Sequence, residues 1–401
     1  MLRLDSRAWA EVDLSAVTHN ISQVRNLTGP SIDIMAIVKA DAYGHGLVPV
    51  ALRAILAGCT WLGVATVQEG ATLRLAGVPS TVSIAVLAAT SPMDADDIVV
   101  NDLTTMVGDD EMATALAHAG MRLGRRPDIH IDIDTGMGRS GVLPEHAVRL
   151  WQHIESAGLT ASGVTTHFAD ADGDDEAHTR HQQREFKRAL VYLRSAGAQF
   201  TWVHLDNSAS TIAYRDIPCN LVRPGLLIYG IQPQTKIGTK VPTAGTAGAA
   251  FIPIPIRPVM ALKARVATVR HLPAGHAISY GATHRLDRDS RVATILIGYG
   301  DGYPRSLSGR GEMLIRGVRA PILGRVCMDQ TVVNVSHVPD VQTNDIAVCI
   351  GDAHLKNDNL LMNRNDTLLN SITAVEIADI IGETEHAITT GLSPRIPRIY
   401  I

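Results

Sequence analysis

The chain has 401 residues and a mass of 42.9 kDa, more than one hydrophobic core usually organises, so we expect two domains. A composition of 46% hydrophobic and 19% charged residues is typical of globular proteins and excludes disordered, collagen-like and coiled-coil chains. The 36 basic and 40 acidic residues leave a formal charge of -4, without the basic excess that nucleic-acid-binding proteins usually show.

Eight short apolar strands are predicted in the first 230 residues, alternating with amphipathic helices. The strands lie at 33–38, 61–65, 82–87, 103–107, 129–133, 162–167, 200–205 and 221–229. Helical patterns separate several of them, for example at 47–57, 109–119, 144–157 and 177–196. This alternation predicts a TIM-like (βα)8 barrel, an α/β fold.

The composition of the sequence changes near residue 231, where a connector rich in Pro, Gly, Thr and Ala begins. Beyond it, β-branched runs predict strands at 259–270, 276–280, 291–298, 313–316, 320–326, 331–335 and 346–350, and a helical pattern returns near 371–382. We therefore predict a barrel domain over residues 1–240 and a mostly-β domain over residues 241–401. About the first ten residues could join the β-domain.

No apolar run approaches the roughly 20 residues that span a bilayer, and the N-terminus lacks the apolar core of a signal peptide. The four cysteines are scattered without a CxxC pair, which indicates reduced thiols. We expect a cytoplasmic protein without membrane partners. The acidic run at 170–176 resembles the start of a calcium loop, but Asp175 and His181 stand where that loop needs Gly and Glu, so no metal site is predicted.

Barrel enzymes carry their catalytic groups at the C-terminal ends of the strands. Those positions hold Lys39, Arg139, His167, Asn207, Ser208, Arg223 and Gly225. Lys39 follows the first strand within AIVKADAYGHG at 36–46. A lysine that emerges from an apolar strand is desolvated, which lowers its pKa and allows it to form a Schiff base.

A dinucleotide site is the alternative at 136–141, because GMGRSG formally matches GxGxxG after a strand. The third glycine of that fingerprint should open a helix, whereas the next helical pattern here begins at Pro144. The strand is also the fifth element of its kind rather than the first. A single match of this type is weak support for nucleotide binding.

Several motifs together resemble those of bacterial alanine racemases. They are AIVKADAYGHG, DTGMGRSG at 134–141, THFADAD at 166–172, NSAS at 207–210, LVRPGLLIYG at 221–230, ISYGAT at 278–283, GYGDGYPR at 298–305 and GRVCMDQ at 324–330. The resemblance covers about residues 8–401. It implies a pyridoxal-phosphate enzyme of fold type III that interconverts L- and D-alanine and supplies D-alanine for peptidoglycan. It also implies a homodimer in which the β-domain of one subunit completes the active site of the other.

The resemblance assigns catalytic roles to four residues. Lys39 would hold pyridoxal phosphate covalently and act as the base for the Cα proton of D-alanine. Tyr280 would reach in from the partner subunit as the base for L-alanine on the opposite face. Arg223 would contact the pyridine nitrogen without protonating it, and His167 would link Arg223 to Tyr280 through hydrogen bonds.

Further residues are expected to bind the cofactor and the substrate. Four would bind the phosphate through hydroxyl and backbone N–H groups: Tyr43, Ser208, Gly225 and Leu226. Arg139 and the backbone of Met328 would hold the substrate carboxylate, and Tyr299 and Arg305 would line the entrance.

Three departures from the family pattern are visible. Many members have a lysine, carbamylated in crystals, seven residues before the arginine of DTGM-R. Asp132 stands there in this chain, and its carboxylate can supply the same negative charge beside Arg139. Pro394 replaces a tyrosine that often reaches the phosphate, and His386 and Ala387 replace a Tyr-Glu pair.

Other functions on this scaffold are a racemase of broader specificity (serine, for example), a decarboxylase, an aldolase or a dehydratase, and a non-catalytic pyridoxal-phosphate carrier. Tyr280 and Arg223 argue against decarboxylase, aldolase or dehydratase chemistry. Carriers that resemble this family are single barrels, so residues 250–401 argue against a carrier.

Overall fold

The computed structural model describes residues 6–173, 175–214, 219–233, 254–352 and 371–401, and these form two compact units. Of these residues, the larger unit contains 17–42, 47–173, 175–214, 219–233 and 254–257, and the smaller contains 6–16, 43–46, 258–352 and 371–401. The predicted boundary at 240/241 lies outside the described residues.

Eight parallel strands form the sheet of the larger unit. They are Asp33–Ile37, Trp61–Val64, Ser83–Val86, Thr104–Val107, Asp128–Asp132, Ala161–Thr165, Trp202–His204 and Leu221–Val222. Each of the first six strands pairs with its successor in sequence, up to Trp202–His204. The eighth strand pairs with the first, Asp33 opposite Leu221. The sheet confirms the predicted TIM-like barrel.

Asn220 bridges the remaining seam of the barrel, between the seventh and eighth strands. Its backbone N–H donates to the Val203 carbonyl at 3.1 Å, and its side-chain oxygen accepts from the Val203 N–H at 2.9 Å. Further along, the Arg223 N–H donates to the Asp206 carbonyl at 2.8 Å. These bonds satisfy backbone groups that a regular strand ladder would otherwise pair.

Helices alternate with the barrel strands. Their bounds are Leu14–Thr28, Leu47–Leu56, Val67–Leu75, Ala95–Val100, Asp110–Leu123, Ala147–Ser156, Glu176–Ser195 and Ser208–Ala213. Thr66, Asp109 and Asn207 cap three of them by accepting backbone N–H groups of the first turn. No helix of the described ranges is both long and apolar enough to cross a membrane.

The predicted strand at 221–229 is wrong beyond Val222. Residues Leu226–Tyr229 form a short 3-10 turn instead. The Pro224 carbonyl still accepts the Ile37 N–H at 3.2 Å. Pro224 has no N–H of its own to donate, and the chain turns away from the sheet after it. Tyr229 then donates its hydroxyl to the Ile37 carbonyl at 2.8 Å, which fixes the turn against the first strand.

The smaller unit is mostly β, as predicted. Its strands are Ala8–Val12, Met260–Leu272, Ala277–Ile278, His284–Arg285, Ser290–Ile295, Glu312–Ile315, Val318–Pro321, Thr331–Asn334, Ile346–Asp352, Ser371–Ile372 and Arg398–Tyr400. Two helices, Ala374–Ile381 and Glu385–Thr390, lie near its C-terminal end. The long strand Met260–Leu272 pairs with Ala8–Val12, Ser290–Ile295 and Ile346–Asp352.

The strand predicted at 276–280 is shorter than expected. It ends at Ile278, because Ser279 has a φ of 63° that turns the chain out of the ladder. Tyr280 therefore lies at the start of a short turn, Tyr280–Ala282, rather than in a strand.

Candidate active site

Predicted site residues of the larger unit lie where the barrel strands end. Lys39 follows the first strand, Asp132 ends the fifth, His167 follows the sixth, Ser208 follows the seventh and Arg223 follows the eighth. Parallel strands of a barrel present these ends at one rim, which is why residues distant in sequence can share a site.

The Lys39 amine lies in a partly desolvated and mainly positive environment. Burial lowers the pKa of Lys39, and the charges of Arg139 and Arg223 lower it further, while Glu69 opposes them by raising it. The uncharged form of the amine is thereby favoured, and this is the form that attacks a carbonyl carbon.

A left-handed turn follows Lys39. Residues 40–43 all have φ between 52° and 54°, although none of them is glycine. Each such residue costs about 1–2 kcal/mol, so other contacts must hold the turn. The Ala42 N–H donates to the Val38 carbonyl at 2.8 Å, and the Leu47 N–H donates to Oδ1 of Asp41 at 2.8 Å. A rigid, strained turn thus fixes the backbone from which the Lys39 side chain extends.

Arg223 is a buried cation whose two terminal nitrogens, Nη1 and Nη2, face five acceptors. Its guanidinium donates to Thr165 Oγ1 at 2.7 Å, the Thr166 carbonyl at 2.9 Å, the Leu205 carbonyl at 3.2 Å, His204 Nδ1 at 2.6 Å and His167 Nδ1 at 3.0 Å. A buried charge is tolerated when its donors are satisfied in this way. His204 was not singled out in the sequence, although it ends a barrel strand and could have been found by that rule.

The donor-only chemistry of Arg223 fixes the protonation of the histidines around it. His167 and His204 must accept at Nδ1, so each carries its proton on Nε2 and is neutral. His204 Nε2 then donates to His130 Nδ1 at 2.7 Å, and the His130 Nε2–H has no partner among the described residues. Burial lowers the pKa of His167 to about 3 and that of His130 to about 4, with the charge of Arg223 acting in the same direction.

Because these histidines are neutral in the folded protein, we expect the free energy of unfolding to fall in mild acid. Their folded-state pKa values lie below the ordinary value of about 6.5, so the unfolded chain binds more protons than the folded one as pH falls. Their contribution is fully present above pH 6.5 and is lost towards pH 4, at up to about 1.4 kcal/mol per pH unit for each histidine. Urea unfolding between pH 7.5 and pH 4.5 measures this slope.

His130→Gln should flatten that slope, because one of the protons taken up on unfolding disappears. His118→Gln, at an exposed position on the helix Asp110–Leu123, controls for the loss of a histidine side chain as such. A slope for His130→Gln equal to that of the unmodified protein would contradict the assignment of a neutral, buried His130.

Asp132 and Arg139 lie in the same loop region, and Asp132 accepts a hydrogen bond from Ser140 Oγ at 3.0 Å. Burial raises the pKa of Asp132, while the Ser140 hydrogen bond and the charges of Arg223 and Arg139 lower it. Arg139 acts on this carboxyl group electrostatically rather than through a hydrogen bond. The expectation that Asp132 carries a negative charge beside Arg139 stays a prediction.

Ser208 and Gly225, two residues of the predicted phosphate site, lie together. The Ser208 Oγ accepts from the Gly225 N–H at 2.9 Å and from the Leu227 N–H at 3.3 Å, so its own hydroxyl proton can be donated elsewhere. Leu226 begins the 3-10 turn between these two donors.

Tyr43 belongs to the smaller unit. Its ring centroid lies 5.3 Å from that of His386, and burial raises its pKa to about 12.

Four predicted residues lie in loops of the smaller unit. Tyr280, Tyr299 and Met328 are 71%, 40% and 52% exposed, and Arg305 is also exposed. Backbone bonds tie the Tyr299 and Met328 loops together: the Tyr299 N–H donates to the Cys327 carbonyl at 3.0 Å and the Gly300 N–H to the Met328 carbonyl at 2.8 Å. Next to Tyr280, the Ser279 hydroxyl donates to the Arg325 carbonyl at 2.6 Å.

A network that sequence reasoning missed supports the Tyr299 and Met328 loops. Asp301, fully buried within GYGDGYPR, accepts the Gly298 N–H at 3.0 Å and pairs with Arg7 at 2.5 Å and Arg395 at 3.1 Å. Arg395 also donates to Asp329 at 2.6 Å. We call Asp301 with Arg7 and Arg395 the ionic anchor. Arg395 directly follows Pro394, the position where alanine racemases often have a tyrosine.

Comparisons with known proteins cover both units. The family model described as the N-terminal domain of alanine racemase matches residues 12–233, and that of the C-terminal domain matches residues 259–400. The alanine racemase of Desulfovibrio desulfuricans is 37% identical over 404 residues, which covers 100% of both chains.

Solved structures of alanine racemases are similar to this chain over nearly its whole length. The alanine racemase of the D-cycloserine producer Streptomyces lavendulae is 32% identical with a TM-score of 0.86, covering 100% of this chain and 98% of that one. The racemase of Bacillus anthracis with bound L-Ala-P is 33% identical with a TM-score of 0.84, covering 98% and 95%. The racemase of Bartonella henselae with covalently bound pyridoxal phosphate is 25% identical with a TM-score of 0.81, covering 99% and 100%. The chain therefore belongs to the alanine racemase family.

Proposed function

We propose that this protein is an isomerase that interconverts L-alanine and D-alanine with pyridoxal 5'-phosphate as its cofactor. The observation that carries the proposal is the half-buried amine of Lys39, whose pKa is lowered by burial, Arg139 and Arg223 at the rim of the barrel. The relative from Bartonella henselae holds pyridoxal phosphate covalently, and the relative from Bacillus anthracis binds L-Ala-P. Both support the same cofactor and substrate class for this chain.

The side chains at the strand ends fit pyridoxal phosphate chemically. Lys39 offers a nucleophilic amine, and Arg223 offers N–H donors to a ring nitrogen that carries no proton. Ser208 has a hydroxyl proton to donate, and hydroxyl and backbone N–H donors suit a phosphate. The proposed cofactor ligands are Lys39, Tyr43, Ser208, Arg223, Gly225 and Leu226.

Two bases on opposite faces of the substrate carry the racemisation. When bound, the cofactor withdraws electrons from the substrate Cα and so acidifies its proton. Lys39 removes this proton from D-alanine, and the partner subunit's Tyr280 removes it from L-alanine. Each base returns a proton where the other has removed one, which inverts the configuration.

Arg223 and its neutral histidines direct the reaction towards racemisation. An arginine stays cationic and does not readily give its proton to the ring nitrogen, which limits delocalisation of charge into the ring. The proton then returns to Cα rather than elsewhere. His167, which bonds Arg223 at 3.0 Å, is proposed to connect it to Tyr280.

Arg139 and the backbone of Met328 are proposed to hold the substrate carboxylate, since a guanidinium and an N–H suit an anion. Tyr299 and Arg305 are proposed to line the entrance. The ionic anchor of Asp301, Arg7 and Arg395 holds the loops that carry Tyr299 and Met328.

The protein is proposed to act as a homodimer with active sites shared between subunits. The exposed side chains of Tyr280, Tyr299 and Met328 support this arrangement, because large apolar side chains left exposed in neighbouring loops suit an interface. A two-fold contact is reciprocal and would complete two sites at once.

The proposed location is the cytoplasm, and the proposed role is the supply of D-alanine for peptidoglycan in the cell wall. Support comes from the family and from the sequence, in which no apolar run is long enough to span a bilayer.

An absorption spectrum followed by deuterium exchange at Cα tests the function. The protein should show the absorbance of bound cofactor, and in D2O it should exchange the Cα proton of both alanine enantiomers. Equal exchange with serine would indicate a racemase of broader specificity. A bound cofactor without exchange would indicate a carrier and would overturn the proposal.

Asp132 should affect substrate binding without requiring carbon dioxide. Asp132→Ala should raise the KM for alanine about 10-fold or more, equivalent to ~1.4 kcal/mol, because Arg139 loses a nearby negative charge. Added bicarbonate should leave the activity of the unmodified protein unchanged. Ser140→Ala, which removes only the hydrogen bond to Asp132, is the matched control. An unchanged KM for Asp132→Ala would show that the electrostatic role is wrong.

A further inference from the structure

The carboxylate of Glu69 makes one contact more than its place in a helix requires. Glu69 is the third residue of the helix Val67–Leu75, where it forms a capping box with Thr66. Its Oε2 accepts the Ala65 N–H at 2.8 Å and the Thr66 N–H at 3.3 Å, and its own N–H donates to Thr66 Oγ1 at 3.2 Å. A capping box needs only these bonds at the start of its own helix.

The second oxygen of Glu69 reaches a different strand end. Its Oε1 accepts the Ala40 N–H at 2.7 Å, across 29 residues of sequence. Ala40 directly follows Lys39 and is the first residue of the left-handed turn. One carboxylate thus joins the end of the second barrel strand to the strained backbone beside Lys39.

The charge of Glu69 also acts on Lys39. Three charged groups shift the pKa of this amine: Arg139 and Arg223 lower it, and Glu69 raises it. Glu69 is therefore coupled to Lys39 both through the backbone and through its electrostatic field.

We propose that Glu69 is a positioning residue for Lys39, whose carboxylate holds the left-handed turn and so fixes the direction of the lysine side chain during proton transfer. The role rests on the proposed function of Lys39, and Glu69 would act through the turn rather than by contacting substrate or cofactor. Left-handed conformations at non-glycine residues persist only where surrounding contacts enforce them, and the bond to Ala40 is such a contact.

Two substitutions separate this role from helix capping. Glu69→Gln keeps one carbonyl oxygen for the capping box, and glutamine is accepted at that position. Its NH2 group cannot accept the Ala40 N–H, so the variant loses the bond to the turn. Thr66→Ala does the reverse, since it removes the cap hydroxyl and leaves both oxygens of Glu69 in place.

Kinetics of the cofactor-loaded enzyme give the first readout. Glu69→Gln should lower kcat about 10- to 100-fold with KM changed less than about twofold, because a base displaced by about 1 Å slows proton transfer while the substrate contacts remain. Thr66→Ala should keep kcat within about twofold. Equal losses of kcat in the two variants, or none in Glu69→Gln, would overturn the proposal.

Two readouts do not depend on turnover. Hydrogen exchange of the full-length protein without cofactor should show faster exchange of a peptide spanning residues 38–42 in Glu69→Gln and unchanged exchange in Thr66→Ala. The rate at which the cofactor-free protein reacts with pyridoxal phosphate should reach half its maximum at a lower pH in Glu69→Gln, because the group that raises the pKa of Lys39 is gone. Unchanged exchange together with an unchanged pH profile would overturn the proposal.

Failure of the proposed function gives a different result. If the cofactor attached to another lysine, the exchange difference at residues 38–42 would remain while the shift in the pH profile would vanish. The two failures are therefore distinguishable.

Discussion

Lys39→Ala should abolish the interconversion of L- and D-alanine. The substitution removes the amine proposed to hold the cofactor and to serve as one of the two bases, and a general base alone is worth about 10²–10⁴-fold in rate. We expect a loss of at least about 10⁴-fold in kcat, measured by coupled assay or polarimetry in both directions. Lys187→Ala, on the helix Glu176–Ser195, is the control for removal of a lysine from the same unit.

Chemical labelling checks the same assignment without substitution. Borohydride reduction of the cofactor-loaded protein and peptide mapping should place the label on Lys39. The physical reason is that burial, Arg139 and Arg223 all lower the pKa of this amine, so it is the favoured nucleophile at neutral pH. A label on another lysine would refute the proposed mechanism.

The eight barrel strands could be predicted because each is a local apolar run, and local patterns report on local structure. The rule that catalytic groups follow barrel strands then placed Lys39, His167 and Arg223 near one rim. The same information failed beyond Val222, because the segment predicted as one strand turns away from the sheet after Pro224, which has no N–H to donate. Composition alone does not report where a ladder stops.

The contacts between distant segments could not be predicted. The hydrogen-bonded chain from Arg223 through the neutral His204 to the neutral His130 joins residues in or directly after three different strands, and no spacing in the sequence encodes it. The sequence did indicate that His130 lies near the site. His130 and Asp132 are two residues apart on one strand and so point to the same side of the sheet. The left-handed turn after Lys39 gave no such signal, since its four residues are not glycines.

Tyr280→Phe should impair removal of the Cα proton from the two enantiomers unequally. Removal of the Cα proton from L-alanine should fall at least about 10²-fold, the usual cost of losing a general base. Exchange of the D-alanine Cα proton should partly persist, because Lys39 is the base proposed for that proton. Since Tyr280 is 71% exposed within its own chain, loss of its hydroxyl should not unfold the subunit. Tyr192→Phe, at another exposed tyrosine, is the matched control, and equal losses with both enantiomers would contradict the assignment.

Mixing the two inactive variants tests where the bases meet. Lys39 and Tyr280 belong to different units of the chain, so both arrangements, within one subunit or across a dimer, must be separated by experiment. In a heterodimer of Lys39→Ala and Tyr280→Phe subunits with composite sites, one site carries both substitutions and the other carries neither. Equal mixing with free subunit exchange makes half of the dimers heterodimers, so activity should recover to about a quarter of that of the unmodified protein. If both bases came from one chain, every site would lack one of them and no activity would return. Absence of recovery, once subunit exchange has been verified with differently tagged chains, would therefore place Lys39 and Tyr280 in the same subunit's site.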